Sequence, residues 1–339
     1  MLRKRVLVFA ALVLSRFWLP AQDWKAVIRE WELPSPNSRP HDPEVAPDGA
    51  LWYTALLANR LGRLDPETGA IKEFPLTTPG SGPDGLAADK EGNLWFTASS
   101  RAYIGKLDPA TGGVTEYPMP DPRARDPHSL AFDRRGRIFF TAQNSNLVGR
   151  LDPKNGKVTL KAVPTPHALP DGILVGPDEA AYFCEFGSNR IGRIDPETLD
   201  VKEYVLPAGS RPRRLANNPE GSIYYTDFGR GFIGRLDPQS GRVEEWRSPG
   251  GPSSRPYAMA SLSDGTVWYS ESGIDPNTLV VFNPRTKSFQ TWPIPSGGGV
   301  IRHMVATPDG RLYLACSGGN KVAVVEVNRV PDNKVMHAP

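Results

Sequence analysis

Cysteine is scarce in this sequence: only Cys184 and Cys316 occur among 339 residues, and they do not form a Cys-x-x-Cys pair. The sequence also lacks His-Glu-x-x-His, a glycine-rich phosphate loop and Gly-x-Ser-x-Gly. These motifs accompany the common zinc, nucleotide and esterase sites. The sequence therefore gives no signature of the common metal, nucleotide or esterase sites.

Long apolar runs and sustained helical periodicity are also lacking. The apolar run at residues 6–14 is shorter than the roughly 20 residues of a membrane-spanning helix. It follows a segment at residues 2–5 that contains three basic residues, and it precedes a cleavage-like region at 19–22, which predicts a signal peptide at residues 1–22. A membrane anchor is the alternative. We expect a secreted or periplasmic protein with no membrane insertion after signal cleavage.

The chain has no large excess of charge of either sign. It contains 40 Lys and Arg against 37 Asp and Glu, and four of the basic residues lie in the predicted signal peptide. The exported part is therefore close to neutral, which gives no support to nucleic-acid binding.

A repeat fills the rest of the chain. The stretch LGRLDPETG at residues 61–69 returns in similar form at 104, 148, 191 and 233, with weaker copies at 279 and 322. Each copy follows a short aromatic strand such as LWYT, LWFT or IYYT, and successive aromatic strands start about 42–45 residues apart. This period is typical of propeller blades with four strands each. The seven copies predict an all-β, seven-bladed β-propeller.

The ends of the chain predict how the ring closes. The seventh repeat stops after its third strand, whereas residues 29–34, REWELP, match the fourth strand of the other repeats. We expect this N-terminal strand to complete the last blade, because closure leaves no open sheet edge. The predicted organisation is one propeller domain at residues 23–330 and a C-terminal tail at 331–339. Cys184 and Cys316 fall in blades four and seven, too far apart for a disulfide, so free thiols are predicted.

Ionisable residues recur where each innermost strand starts and where the second strand ends, and in a propeller these points meet at one mouth of the central channel. A ring of polar groups around a cavity is a typical ligand site, although each side chain could instead only cap a strand end. We expect the strongest cluster to be Glu271, Tyr257 and His303.

The sequences PDGLAADKEGNLWFT from residue 83 and YFCEFGSNRIGRIDPETLDVKEYVLP from residue 182 resemble the virginiamycin B lyase (streptogramin lyase) family. The resemblance implies a seven-bladed propeller that opens a cyclic depsipeptide antibiotic by elimination with Mg²⁺. Tyr257 and His41 stand where the family has His and Tyr, and residues 301–303 replace Glu-Pro-His while keeping His303. Cys316 and Ser317 lie where a second glutamate is expected. Linearisation of the antibiotic should therefore be weak or absent.

The sequence supports three functions: a metal-assisted carbon–oxygen lyase acting on an ester or lactone, a non-catalytic ligand-binding propeller, and a lactone hydrolase with a metal in the channel. The expected ligand is a small or cyclic peptide-like molecule, the expected cofactor is Mg²⁺ or another divalent cation, and the expected state is a monomer. The candidate catalytic residues are His303, Tyr257 and His41. The candidate metal ligands are Glu271, Asp227 and Glu185. The candidate substrate-binding residues are Asp84, His128, Asp171, Arg213, Arg255 and Arg302.

Overall fold

The computed structural model describes residues 24–330, which form seven four-stranded antiparallel sheets arranged as blades around a central channel. The predicted all-β, seven-bladed propeller is confirmed. Within residues 24–330 there is no helix, and hence none that could cross a membrane. The predicted signal peptide and the C-terminal tail lie outside the described residues.

The chain contributes 28 strands to the described region. The N-terminal strand and blades one to three comprise β1 (Trp24–Glu32), β2 (Pro40–Val45), β3 (Leu51–Ala55), β4 (Arg60–Leu64), β5 (Ile71–Pro75), β6 (Pro83–Ala88), β7 (Leu94–Ala98), β8 (Tyr103–Leu107), β9 (Val114–Pro118), β10 (Pro127–Phe132), β11 (Ile138–Ala142), β12 (Leu147–Asp152) and β13 (Lys157–Ala162). Blades four to seven comprise β14 (Pro170–Val175), β15 (Ala181–Glu185), β16 (Arg190–Ile194), β17 (Val201–Val205), β18 (Pro212–Asn217), β19 (Ile223–Asp227), β20 (Phe232–Leu236), β21 (Val243–Arg247), β22 (Pro256–Ser261), β23 (Val267–Glu271), β24 (Thr278–Asn283), β25 (Ser288–Pro293), β26 (Ile301–Ala306), β27 (Arg311–Cys316) and β28 (Lys321–Arg329).

The Asp-Pro-x-Thr-Gly segments form the hairpins between the third and fourth strands. In blade one, Asp65 accepts a 2.9 Å hydrogen bond from the backbone N–H of Glu67, and the N–H of Gly69 bonds the Asp65 carbonyl at 2.8 Å. Gly69 has a φ of +74°, a conformation that glycine adopts without steric cost. The repeat is therefore a turn signal, as its sequence predicts.

The aromatic residues of the second strands pack against glycines of the third strands. Phe96 of β7 is fully buried, and its ring lies against Gly105 of β8. A Cβ atom on Gly105 would come within 2.2 Å of that ring, so glycine is required for this packing. The same contact recurs in most blades, which explains why the Gly of the Ile-Gly-Arg repeat accompanies an aromatic strand.

The N-terminal strand closes the ring as predicted. β1 pairs with β28 over nine residue pairs, from Trp24 opposite Arg329 to Glu32 opposite Lys321, and so becomes the outer strand of blade seven. The Asn320 side chain adds to this closure, because its Oδ1 accepts a 2.8 Å hydrogen bond from the N–H of Ser38.

A row of hydroxyl groups connects neighbouring blades beside the channel. Thr97 Oγ1 accepts the N–H of Gly85 in its own blade at 2.8 Å and donates to the carbonyl of His128 in the next blade at 2.6 Å. The same two-sided contact is made by Thr54, Thr141, Thr226 and Ser270. We call these five side chains the hydroxyl row. Cys184 and Ala315 occupy the equivalent positions in blades four and seven.

The two cysteines are buried free thiols, which confirms the prediction that they do not form a disulfide. Burial raises the pKa of both thiols, and that of Cys316 reaches about 12. Both thiols are therefore protonated at neutral pH and unsuited to act as nucleophiles.

Candidate functional site

Each innermost strand carries a β-bulge at the mouth of the channel. The register against the second strand shifts after the first residue, as between Pro83 and Leu86 of β6, and leaves two residues out of the ladder. We call these positions the first and second slots. The first slots hold His41, Asp84, His128, Asp171, Arg213, Tyr257 and Arg302, and the second slots hold Asp42, Gly85, Ser129, Gly172, Arg214, Ala258 and His303.

One side of the mouth is a buried group of two histidines and two aspartates. His41 Nδ1 lies 2.8 Å from Oδ1 of both Asp42 and Asp84, and His128 Nε2 lies 3.8 Å from Asp84 Oδ2. Burial alone would lower the pKa of His41, but the charge of Asp84 and the hydrogen bond to Asp42 raise it. Burial would raise the pKa of Asp84, but His128 and His41 lower it well below its usual range.

Arg214 crosses the axis and connects this group to the rest of the ring. Its side chain is only 2% exposed and forms an ion pair with Asp171 of blade four. The Nε–H donates to the carbonyl of Arg302 in blade seven at 3.1 Å, and Nη2 lies 3.7 Å from Asp42 Oδ1 in blade one. Burial opposes the ionisation of Asp171, but the charges of Arg213 and Arg214 lower its pKa to about 2.

The opposite side of the mouth combines arginines with aromatic rings. Arg213 Nε lies 3.1 Å from Asp171 Oδ2, and its Nη2 donates a 2.7 Å hydrogen bond to the hydroxyl of Tyr257. The Arg213 guanidinium also lies 4.1 Å from the ring centroid of Phe186, and Phe228 packs edge-on against both Phe186 and Tyr257. Phe186 and Phe228 are half-buried, so this side offers apolar surface beside a fixed positive charge.

Three further arginines lie at the rim. Arg255 is exposed, with its guanidinium 5.7 Å from the Phe228 centroid. Arg302 and Arg39 line a cavity of about 260 Å³ between blades seven and one. Burial and the charge of Arg302 lower the pKa of Arg39.

His303 does not lie beside Tyr257 in a first slot. The structure pairs Ile301 with Cys316, just as Pro256 pairs with Glu271, so Ile301 takes the place of the first-strand proline. Arg302 consequently occupies the first slot of blade seven, and His303 occupies the second. In the family the histidine directly follows the proline. In this register Arg302, and not His303, therefore stands at the position of the family's histidine.

His303 lines a second cavity of about 440 Å³, to which residues of all seven innermost strands contribute. Its Nδ1 atom has no hydrogen-bond partner among residues 24–330. Burial lowers the pKa of His303 to about 4, with Arg214 and His41 adding to the effect against the charge of Asp42.

The three carboxylates expected to bind a metal serve other purposes. Glu271 accepts hydrogen bonds from Ser248 Oγ, from the N–H of Gly250 at 2.7 Å and from Thr278 Oγ1 at 2.7 Å. It therefore holds a loop instead of joining Tyr257 and His303.

Asp227 and Glu185 have similarly local partners. Asp227 accepts the N–H groups of Arg211, Gly229 and Arg230 and forms a 2.7 Å ion pair with the Arg230 side chain. Glu185 accepts a 2.8 Å hydrogen bond from Ser188, and burial raises its pKa to about 8. These carboxylates cap strand ends in separate blades.

Sequence reasoning missed Asp42, Arg214, Phe186 and Phe228. For Arg214 a signal exists in the sequence: the second slot is Gly, Ser or Ala in blades two, three, four and six, so a charged residue there stands out.

A comparison with family models matches residues 21–273 to the description "Virginiamycin B lyase family". The chain belongs to this family. A comparison with curated proteins found no match.

Solved structures of the family superpose on the chain closely. A streptogramin B lyase structure has 28% identity and a TM-score of 0.82, covering 89% of this chain and 98% of its own. Virginiamycin B lyase from Staphylococcus aureus has 26% identity and a TM-score of 0.80, covering 89% and 99%. A catalytically inactive variant of the S. aureus enzyme with quinupristin has 25% identity and a TM-score of 0.79, covering 89% and 99%.

The residues present do not fit the Mg²⁺ ion that the family implies. Mg²⁺ requires oxygen ligands in near-octahedral geometry. Val300, Cys316 and Ser317 stand where the resemblance places carboxylates, and the nearby Glu271 is already bonded to Gly250 and Thr278. The family's magnesium chemistry therefore has no support in this part of the mouth.

The low pKa of His303 predicts a specific acid sensitivity. The folded state favours the neutral imidazole, with a pKa of about 4 against about 6.5 in the unfolded chain. Its contribution to stability is present above pH 6.5 and is lost as the pH falls towards 4. When the pH falls from 7 to 4.5, the free energy of unfolding should decrease by about 1–3 kcal/mol less in His303→Gln than in the wild type. Urea denaturation at both pH values measures this difference, and equal losses in the two proteins would refute it.

Proposed function

We propose that the chain cleaves a carbon–oxygen bond by elimination in an ester or lactone carried by a small, cyclic peptide-like molecule bound at the mouth. The observation that carries this proposal is the Arg213–Tyr257 pair, a cation and a proton-transfer group joined by a 2.7 Å hydrogen bond beside an aromatic surface. Membership of the virginiamycin B lyase family supports the same class of reaction.

The residues on the Arg213 and Tyr257 side of the mouth have different roles. The half-buried rings of Phe186 and Phe228 provide a surface for the apolar part of a ligand. Asp171 fixes the orientation of Arg213 through the 3.1 Å contact to Nε. Because the guanidinium is held in place before a ligand arrives, it is preorganised to stabilise an anion.

In the elimination, the phenolate form of Tyr257 removes the proton α to a carbonyl group and becomes the phenol, and Arg213 stabilises the negative charge that develops on that carbonyl oxygen. The electron pair of the broken C–H bond forms a carbon–carbon double bond. The β-carbon–oxygen bond then breaks, and its electron pair leaves with the carboxylate of the former ester. Atoms and charge balance without a water molecule or an oxidant.

The test compares wild type with Tyr257→Phe on a panel of lactones, depsipeptides and quinupristin, followed by liquid chromatography and mass spectrometry. Elimination opens a ring without a change in mass, whereas hydrolysis adds one water. We expect an unchanged-mass product from a panel member and a loss of at least about 100-fold in Tyr257→Phe. Turnover of quinupristin should be weak, because the histidine and carboxylates that the family uses are replaced.

Tyr204→Phe is the matched control, since the Tyr204 hydroxyl bonds the Pro238 carbonyl between blades and lies outside the mouth slots. It should keep wild-type activity. Full activity of Tyr257→Phe would contradict the assigned role. Products that carry one added water would identify a lactone hydrolase instead, and ligand binding without any turnover would identify a non-catalytic propeller.

A further inference from the structure

His41, Asp84 and His128, from the first slots of blades one, two and three, each present one ligand atom such that the three atoms lie within 4.8 Å of one another. All three side chains are buried. They lie across the mouth from Arg213 and Tyr257, and they include none of the three carboxylates expected to bind a metal. We infer that they bind one divalent transition-metal ion.

An unsatisfied oxygen atom points to a missing cation. Asp84 Oδ1 is buried and has no hydrogen-bond partner among residues 24–330. His41 Nδ1 lies only 2.8 Å away, but the Nδ1 hydrogen bond is directed to Asp42 Oδ1. A buried carboxylate oxygen without a partner is costly, and a metal ion beside it removes that cost.

The partners of the two imidazoles match those of metal-bound histidines. His41 Nδ1 bonds Asp42 at 2.8 Å, and His128 Nδ1 lies 3.0 Å from Ser129 Oγ. Histidine ligands commonly donate one ring N–H to a carboxylate or hydroxyl in this way, which leaves the other ring nitrogen for the metal. His128 Nε2, the atom left free, faces Asp84 Oδ2 at 3.8 Å.

The spacing suits one ion. Metal–ligand bonds of about 2.0–2.2 Å allow two ligand atoms on the same ion to lie up to about 4 Å apart. The 3.8 Å separation of His128 Nε2 and Asp84 Oδ2 already meets this limit. Side-chain shifts of less than about 1 Å would bring in the third ligand atom.

The surrounding charges also favour a cation. Three buried carboxylates, Asp42, Asp84 and Asp171, face two guanidinium groups, Arg213 and Arg214. One negative charge is left over in this group unless a cation or a proton compensates it. Two imidazoles and one carboxylate suit Zn²⁺, Fe²⁺ or Co²⁺ much better than Mg²⁺.

This inference concerns metal binding alone, and it holds whether or not the mouth cleaves an ester. The test uses the full-length protein purified without chelators. Elemental analysis should find about one zinc or iron per chain. After removal of the metal, titration with Co²⁺ should give a visible absorption band that saturates at one equivalent.

Variants locate the site. Asp84→Asn and His128→Gln should each weaken Co²⁺ binding by at least about tenfold, since even residues that only orient metal ligands have effects of 10–100-fold. Glu185→Gln is the matched control: it changes an expected metal ligand of blade four that lies outside the His41, Asp84 and His128 group, and it should bind Co²⁺ like the wild type.

The outcomes are decisive even if a variant folds poorly, because the wild-type titration stands by itself. A wild-type protein that binds neither Zn²⁺ nor Co²⁺ at 100 µM would overturn the inference. So would folded Asp84→Asn that binds Co²⁺ normally, or loss of binding in Glu185→Gln. Circular dichroism checks the fold of each variant.

Discussion

A chain that lacks residues 24–33 should fail to form a stable propeller. β1 supplies the nine residue pairs that cover β28, and without it the edge of blade seven is left open. The deletion also removes Trp24, which packs edge-on against Trp268 at 6.3 Å, together with Ile28, Trp31 and Leu33. Trp24 and Leu33 are buried, and at about 1.5–3 kcal/mol for each of them the loss is already roughly 3–6 kcal/mol, a large part of the stability of a typical domain.

Thermal denaturation followed by circular dichroism tests this expectation. The truncated chain should show no cooperative transition, or one far below that of the full-length protein. Val27→Thr is the control, because Val27 is 41% exposed on the outer face of the same strand and should melt like the wild type. A truncated protein that melts within a few degrees of the full-length chain would show that β1 is dispensable for closure.

Replacing Arg214 by Met should destabilise the fold by about 3–5 kcal/mol. The substitution removes the cation that lies between Asp171 and Asp42 and leaves both carboxylates buried with less compensation. It also leaves the carbonyl of Arg302 without its donor. Urea denaturation at pH 7 measures the change as a lower midpoint at an unchanged slope.

Two further variants separate this charge effect from lost packing. Asp171→Asn in the Arg214→Met background should recover part of the stability, because it removes the uncompensated charge. Arg211 is an exposed arginine two residues before Arg213. Arg211→Met should change the free energy of unfolding by less than about 0.5 kcal/mol. If Arg214→Met is as mild as Arg211→Met, the guanidinium does not hold the centre of the ring.

The sequence repeats predicted the blades because each blade is built from the same local contacts. The Asp-Pro-x-Thr-Gly turn, the aromatic strand and its glycine partner form contacts within 20 residues of one another, so their period in the sequence is the period of the fold. Closure was predictable for a similar reason, since REWELP resembles strands that the chain uses elsewhere.

The functional site was harder to predict from the sequence, because its residues interact across the channel axis. The first-slot residues were found from the sequence, but the bulge that creates a second slot cannot be seen in the repeats, and this hid Asp42 and the true position of His303. Glu271 was predicted to be a metal ligand only because it lies at the end of a second strand. Its partners Ser248 and Gly250 lie in the preceding loop, whose path only the folded ring reveals.

The hydroxyl row has a mechanical consequence. It joins blades one to four through Thr54, Thr97 and Thr141, and blades five to seven through Thr226 and Ser270. Where Cys184 and Ala315 interrupt it, the ring has two seams. The ion pair of Arg214 with Asp171 crosses the seam between blades four and five, and the hydrogen bond between Ser38 and Asn320 crosses the seam between blades seven and one. The propeller thus consists of two arcs, and one of the seams between them is held in part by an ion pair. A ligand that draws Asp171 away from its guanidinium partners would loosen one seam, so occupancy of the mouth and the breathing of the ring are coupled.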